Sequence, residues 1–313
     1  VTELILIHGT FAGNDVIGLV REISRYKPQM ARTLRNVGKN LFDQVAGDVG
    51  NYTDAFAEHL EVLVNESESN AIQRIVEVIK QTGGRLYIVH LSSIPGLDAL
   101  AAARSERHDV FAETTPHYLM FTDEILARED GYKWLGSPPI RDRATQDGLW
   151  QGIADGRISV VATDDCAFSL KSKKAGAENF ELCPEGMPGI EPRLTILYSE
   201  GVAKGRLSLP RLVELVSTEP ARLFGMAPKK GSLCPGADAD IVLFNPAVEW
   251  TMNAETLHMA SDYAAYDNIS VTGKVSKVFS RGDLIIDGEE CVAEKGRGRF
   301  VPCRLETSIQ TSG

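Results

Sequence analysis

One pattern constrains the fold of this chain more than any other: between residues 71 and 163, helical stretches alternate with short, nearly continuous apolar runs. Residues 71–80 carry Ile72, Ile75, Val76 and Ile79 at helical spacing. After the Gly83-Gly84 break comes Arg85-Leu86-Tyr87-Ile88-Val89-His90-Leu91, apolar on both sides of the pleat, as a buried parallel strand reads. The pattern recurs as helix 95–107 before strand 109–114, and as helix 143–154 before strand 158–163. Such alternation predicts a parallel sheet, either wound open or closed as a barrel.

The polar residues that interrupt these strands fall at their C-terminal ends: His90, Glu113 with His117, and Asp164 with Asp165. In β/α barrels that rim is where active sites are built. A single histidine at a strand end is more often structural, but three polar rim positions in succession favour a metal or acid/base site. Imidazole and carboxylate suit a divalent ion such as Zn²⁺, Mn²⁺ or Co²⁺. Such an ion lowers the pKa of bound water and polarises a carbonyl, the two needs of amide hydrolysis. A carboxylate touching that water can take its proton and deliver it to the leaving nitrogen. Asp164 stands where such a group belongs, although an aspartate there also reads as a helix N-cap.

Composition narrows the alternatives. The 313 residues carry 33 Lys plus Arg against 43 Asp plus Glu, a net charge of −10 that repels phosphate backbones. The one basic run, Lys171-Ser172-Lys173-Lys174, reads as a solvated loop. No nucleic-acid partner is therefore expected. Nor is a membrane partner, since no stretch approaches the roughly 20 apolar residues a spanning helix needs, and residues 1–8 lack the basic start of a signal peptide. Cys166, Cys183, Cys234, Cys291 and Cys303 are odd in number and form no C-x-x-C pair, which reads as reduced thiols in a cytoplasmic protein.

From Lys230 the pattern changes. A turn-rich step, Gly231-Ser232-Leu233-Cys234-Pro235-Gly236, precedes short strands at 239–244, 271–279 and 284–287, a small β unit of meander or sandwich type. The organisation expected is a β/α portion over 1–230, a β portion over 231–303 and a polar tail over 304–313. Residues 9–65 are poorly patterned, apart from a helical spacing of Val16, Ile17, Val20 and Ile23.

At the rim residues the sequence resembles a known family. Val89-His90-Leu91-Ser92-Ser93, Glu113-Thr114-Thr115-Pro116-His117-Tyr118, Gly136-Ser137-Pro138-Pro139, Thr163-Asp164-Asp165-Cys166 and Gly186-Met187-Pro188-Gly189 resemble, in order, the blocks of the dihydropyrimidinase/D-hydantoinase branch of the amidohydrolase superfamily. The likeness runs over about residues 70 to 303, and Pro116-His117-Tyr118 leans towards allantoinase. The resemblance implies a metal-dependent (β/α)8 barrel with a small β-sandwich, two divalent metals, zinc foremost, and ring opening of a cyclic diamide by a metal-bridging hydroxide. It implies a homotetramer. By position, His90 matches a metal ligand, and Asp164 matches the aspartate that is both ligand and proton shuttle. Ser137 matches the serine whose main chain holds the substrate's imide edge. Glu185 stands where the substrate-binding loop usually has Asn, and Asp165 where His is usual.

The departures lie towards the N-terminus. The chain has no His-x-His pair, and no lysine matches the family's carboxylated, metal-bridging one. The ligand after the fifth strand aligns either with His8 or with Phe11, and His59 reads as structural. A β/α barrel takes roughly 250 residues, so the barrel is expected to be incomplete on its N-terminal side. The leading expectation is a cyclic-amide hydrolase. The alternatives are a catalytically inactive paralogue or truncated chain acting as a scaffold or oligomer component, and an allantoinase-like hydrolase.

Overall fold

A computed structural model describes residues 4–7, 56–106, 109–175, 177 and 183–304, with side chains from residue 66 onward. The chain divides into two compact units, 1–112 and 113–313.

The first unit is built from parallel strands joined through helices. Strand β1 (Leu4–Ile7) pairs in parallel with β2 (Arg85–Ile88), with Leu4 opposite Arg85 and Ile7 opposite Ile88. On its other side β2 pairs in parallel with the start of β3 (Val110–Thr114), Leu86 opposite Val110 and Ile88 opposite Ala112. All four residues of β2 are buried, which is why its sequence is continuous rather than alternating. Helix α1 (Phe56–Thr82) precedes β2 and α2 (Ile94–Glu106) follows it. Ile72, Ile75, Val76 and Ile79 make the buried stripe of α1, and Leu97, Leu100 and Ala103 that of α2. Helix α1 begins well before the 71–80 stretch that the apolar period marks.

In the second unit the end of β3 pairs in parallel with β4 (Val160–Val161), Glu113 opposite Val160 and Thr114 opposite Val161. Between them run α3 (Pro116–Met120), two 3-10 turns and α4 (Arg143–Ala154). The α4 bounds match the sequence expectation because the signals agree: Asp142 caps the N-terminus, its carboxylate accepting from Thr145 N–H at 2.8 Å, and Leu149, Trp150 and Ile153 form the buried face. Arg211 closes the other end, donating to the carbonyls of Ile153 (3.0 Å) and Ile158 (2.7 Å). The expected strand 158–163 shortens to two residues because Ala162 makes the last ladder bond, to Thr114 at 3.0 Å, before the chain turns away.

Two corrections concern single segments. The basic run 171–174 is not a solvated loop: helix α5 (Leu170–Lys174) forms there, and Lys173 is fully buried while Lys171 and Lys174 stay exposed. The Asn245-Pro246 step does not end a strand. Strand β5 (Ile241–Met252) runs through it, with the irregularity taken up between Asn245 and Glu249. It pairs antiparallel with β6 (Ile269–Ser280), followed by β7 (Asp283–Asp287) and β8 (Glu290–Cys291). Arg281 and Gly282, with φ of 52° and 87°, make the two-residue turn between β6 and β7. No described helix is long and apolar enough to cross a membrane.

The Asp142 cap is expected to contribute about 1 kcal/mol. Urea unfolding of Asp142→Ala should show that loss, while the exposed Asp147→Ala should stay within about 0.5 kcal/mol of the parent.

Candidate functional site

The polar strand-end residues have an unusual backbone. His90 lies just past β2 with φ of 39°, and Asp164 lies past β4 with φ of 48°. Non-glycine residues rarely enter this left-handed region, which costs of order 1–3 kcal/mol and persists only where the surroundings enforce it. The other two such residues among those described, Asn268 and Arg281, sit at turns of the antiparallel sheet. Strain at both rim positions is therefore a property of the strand ends, not of the fold at large.

In the first unit, the surroundings that enforce it centre on Glu68, a buried carboxylate of α1. One oxygen accepts from the Ser92 backbone N–H at 2.9 Å and from the Ser92 hydroxyl at 3.0 Å, and the other accepts from the Ser93 hydroxyl. The Ser93 oxygen in turn accepts from Gly96 N–H at 3.0 Å, starting α2. A Cβ at Gly96 would meet the Glu68 carboxylate at 2.5 Å, so only glycine fits. Helix α1 thereby fixes the turn that carries His90, which is itself buried. The sequence reading missed Glu68, because a glutamate in an amphipathic helix looks like a surface residue and its partners lie 24 and 25 residues away.

In the second unit, three segments are tied together. Gly186 N–H donates to the Leu135 carbonyl at 3.0 Å, joining the 184–190 loop to the segment that leads into Ser137. Cys166 N–H donates to the Met187 carbonyl at 3.2 Å, joining the same loop to the one after β4. Asp165 strengthens that second seam: its carboxylate accepts from Gly189 N–H at 2.7 Å and Ile190 N–H at 3.1 Å. The Asp165 carboxylate is thus an anchor for the loop. Gly186, at φ of 135°, has no room for a side chain, since a Cβ would meet Cys166 Cβ at 2.7 Å. The Tyr118 hydroxyl holds the Ser137 segment from below, donating to the Pro138 carbonyl at 2.7 Å.

The segments bearing Asp164, Ser137 and Glu185 are therefore hydrogen-bonded neighbours. Asp164 and Glu185 are exposed, and Ser137 is half-buried. His90 belongs to the first unit, and His8 and Phe11 lie outside the described residues. His117 is buried in the first turn of α3, its Nε2 2.8 Å from the Thr115 hydroxyl. His59 falls in α1 where side chains are not described. Burial, then the charges of Asp164 and Asp165, push the Cys166 thiol up from its usual pKa, which disfavours a thiolate nucleophile there. Among the described residues no three His, Cys, Asp or Glu side chains gather in a way that could hold a metal ion.

At the edge of this cluster, His258 Nδ1 lies 2.7 Å from the Glu191 carboxylate and its Nε2 lies 2.9 Å from the Glu289 carbonyl. The Glu191 carboxylate, then the Glu289 carbonyl, raise the imidazole above its usual value.

Comparisons with known proteins show the family. The amidohydrolase family profile matches residues 64–285. A D-phenylhydantoinase of Escherichia coli O1:K1 is 42% identical over 238 residues, 75% of this chain and 52% of that protein. The structure of a D-hydantoinase from Bacillus sp. AR9 matches with a TM-score of 0.75 and 38% identity, over 78% of this chain and 54% of that one. A D-hydantoinase (dihydropyrimidinase) from a Thermus species matches with a TM-score of 0.74 and 34% identity, over 76% and 52%. The chain thus spans about half the length of the curated relatives it matches. Its α/β fold is of the TIM-barrel type.

Two measurements check these contacts. Glu68→Ala leaves one backbone donor and two hydroxyls without their acceptor, and should lower unfolding stability by more than about 2 kcal/mol. Because folding raises the His258 pKa, its contribution is full below the usual imidazole value of about 6.5 and fades as pH rises through the higher folded value. His258→Gln should therefore lose melting temperature at pH 6 relative to the parent, and the gap should close by pH 9.

Proposed function

The chain belongs to the amidohydrolase family, in its dihydropyrimidinase/D-hydantoinase branch, and from that premise we propose that it takes part in hydrolytic opening of a cyclic amide ring. The observation that supports this reading most is Asp164: an exposed carboxylate on a strained backbone at a parallel strand's C-terminal end, beside the loops of Ser137 and Glu185.

In this reading Asp164 takes a proton from the attacking water and returns it to the ring nitrogen. The water oxygen bonds to the ring carbonyl carbon, and the C–N bond then breaks as the nitrogen takes the proton, leaving a carboxylate and a ureide NH2 in one opened chain, with the second water proton released to solvent. Such positioned proton transfer contributes typically about 10²–10⁴-fold. The main chain around Ser137 and the loop of Glu185 hold the ring's imide edge, where planar N–H and C=O groups meet backbone partners. The substrate is a small cyclic diamide of dihydropyrimidine or hydantoin type.

Divalent metal dependence is general to the family. The residues assigned to a metal are His90, Asp164 and His8, and an imidazole–carboxylate set suits zinc. The described residues do not by themselves form a three-ligand set, so the chemistry derived from them is proton transfer and positioning. The proposal extends to a homo-oligomer, a tetramer by family likeness, and to a cytoplasmic location. It also assigns residues 1–230 to the barrel portion, incomplete on its N-terminal side, and 231–303 to a β-sandwich portion, with 304–313 as a tail. Parallel pairing up to β4 and antiparallel pairing from β5 onward support that division. Exposure of Val242 and Leu243 on the antiparallel sheet supports a second layer over it.

Ring opening of hydantoin and dihydrouracil by the purified protein, with its metal content measured, tests the reading. Turnover with bound metal is expected, and the absence of turnover would overturn the reading. Asp164→Asn should lower kcat by about 10²-fold or more with an unchanged melting temperature, and substantial residual turnover would refute the proton-transfer role.

A further inference from the structure

Lys173 is fully buried, yet it carries the most strongly hydrated kind of charge in proteins. Taking an ammonium out of water costs several kcal/mol unless hydrogen bonds replace the lost hydration. Here all three of its N–H donors are matched. Nζ donates to the carbonyls of Leu135 (2.7 Å), Pro184 (2.8 Å) and Gly186 (2.9 Å). Burial pushes its pKa down from the usual lysine value, against the opposing pull of the neighbouring Cys183.

The identity of those carbonyls gives the contact its meaning. They come from two loops that cannot pair as a ladder: Pro184 has no N–H, and Gly186 sits at φ of 135° with a single backbone bond, to Leu135. Their oxygens converge on the Lys173 ammonium, whose three divergent hydrogens reach all of them. Pro184 and Gly186 flank Glu185, and Leu135 stands two residues before Ser137. On its far side the same loop is gripped by Asp165, the neighbour of Asp164.

We propose that Lys173 is a positioning residue for substrate binding: its ammonium locks the Ser137 and Glu185 segments into one rigid edge, set at a fixed place relative to Asp164. The proposal rests on the hydrolase reading above. Lys173 itself touches no substrate. Removing it leaves the Pro184 and Gly186 carbonyls without this donor and the two segments joined by the Gly186 N–H to Leu135 carbonyl bond alone, so they loosen while β6 and α4, which do not contact its ammonium, keep their structure.

The test uses Lys173→Met, of similar length but without donors, and Lys173→Gln, which restores two N–H groups. Hydrogen–deuterium exchange is followed in peptides covering 135–139 and 184–190, against controls in 143–154 and 269–280. Exchange in the two loop peptides should quicken about tenfold or more in Lys173→Met, less in Lys173→Gln, with the controls unchanged. For hydantoin opening, KM should rise about tenfold with kcat changed by less than about threefold, because a binding edge and not the proton shuttle has moved. If the parent shows no turnover, the hydrolase reading fails on its own, and hydantoin affinity measured by calorimetry replaces KM. Uniform loss of protection, or failure of both variants to fold, would make Lys173 a general stabiliser and overturn the proposal. So would unchanged exchange in the loops, a fall in kcat with KM intact, or a parent that binds no hydantoin.

Discussion

The contact on which the strand-end face of the second unit depends is the buried ammonium of Lys173 among three backbone carbonyls. Loops beyond the ends of parallel strands have no ladder to satisfy their polar groups, and an unpaired buried carbonyl costs about as much as a lost hydrogen bond. The chain meets that demand with charged side chains, the buried Lys173 and the exposed Asp165. Lys173 serves the loops around Ser137 and Glu185 from one side, and the Asp165 carboxylate serves Gly189 and Ile190 from the other.

The first unit uses the same device with the opposite sign. Glu68 gathers the Ser92 N–H and the hydroxyls of Ser92 and Ser93, so the turn after β2 is held by a carboxylate from the preceding helix. In both units the anchored segment adjoins a residue with left-handed backbone, His90 or Asp164. The anchored segments adjoin a backbone conformation that local sequence alone would not choose and that persists only where the surroundings enforce it.

Much of the scaffold was legible from residue order. The apolar stripe of α1, the bounds of α4 and the continuous burial of β2 follow from period and capping, which act within a few residues. Long-range pairing explains most of what was misread. The strand expected over 158–163 keeps only Val160 and Val161 because its length is set by where β3 stops offering partners. Strand β5 runs past Asn245-Pro246 because β6 is long enough to pair on both sides of the irregularity.

The sequence by itself pointed to the family, through short motif blocks kept in order, and to the parallel β/α order, through apolar period; by resemblance it also singled out His90, Asp164, Ser137 and Glu185 as candidates. The tertiary structure alone decided what holds that rim in place. A lysine in a basic run and a glutamate in an amphipathic helix look solvated, and nothing local distinguishes them from their exposed neighbours Lys171 and Lys174 or Glu66. What makes them structural is the convergence of backbone groups from segments far along the chain, 38 residues apart in the case of Lys173 and Leu135, and such convergence exists only once the chain has folded.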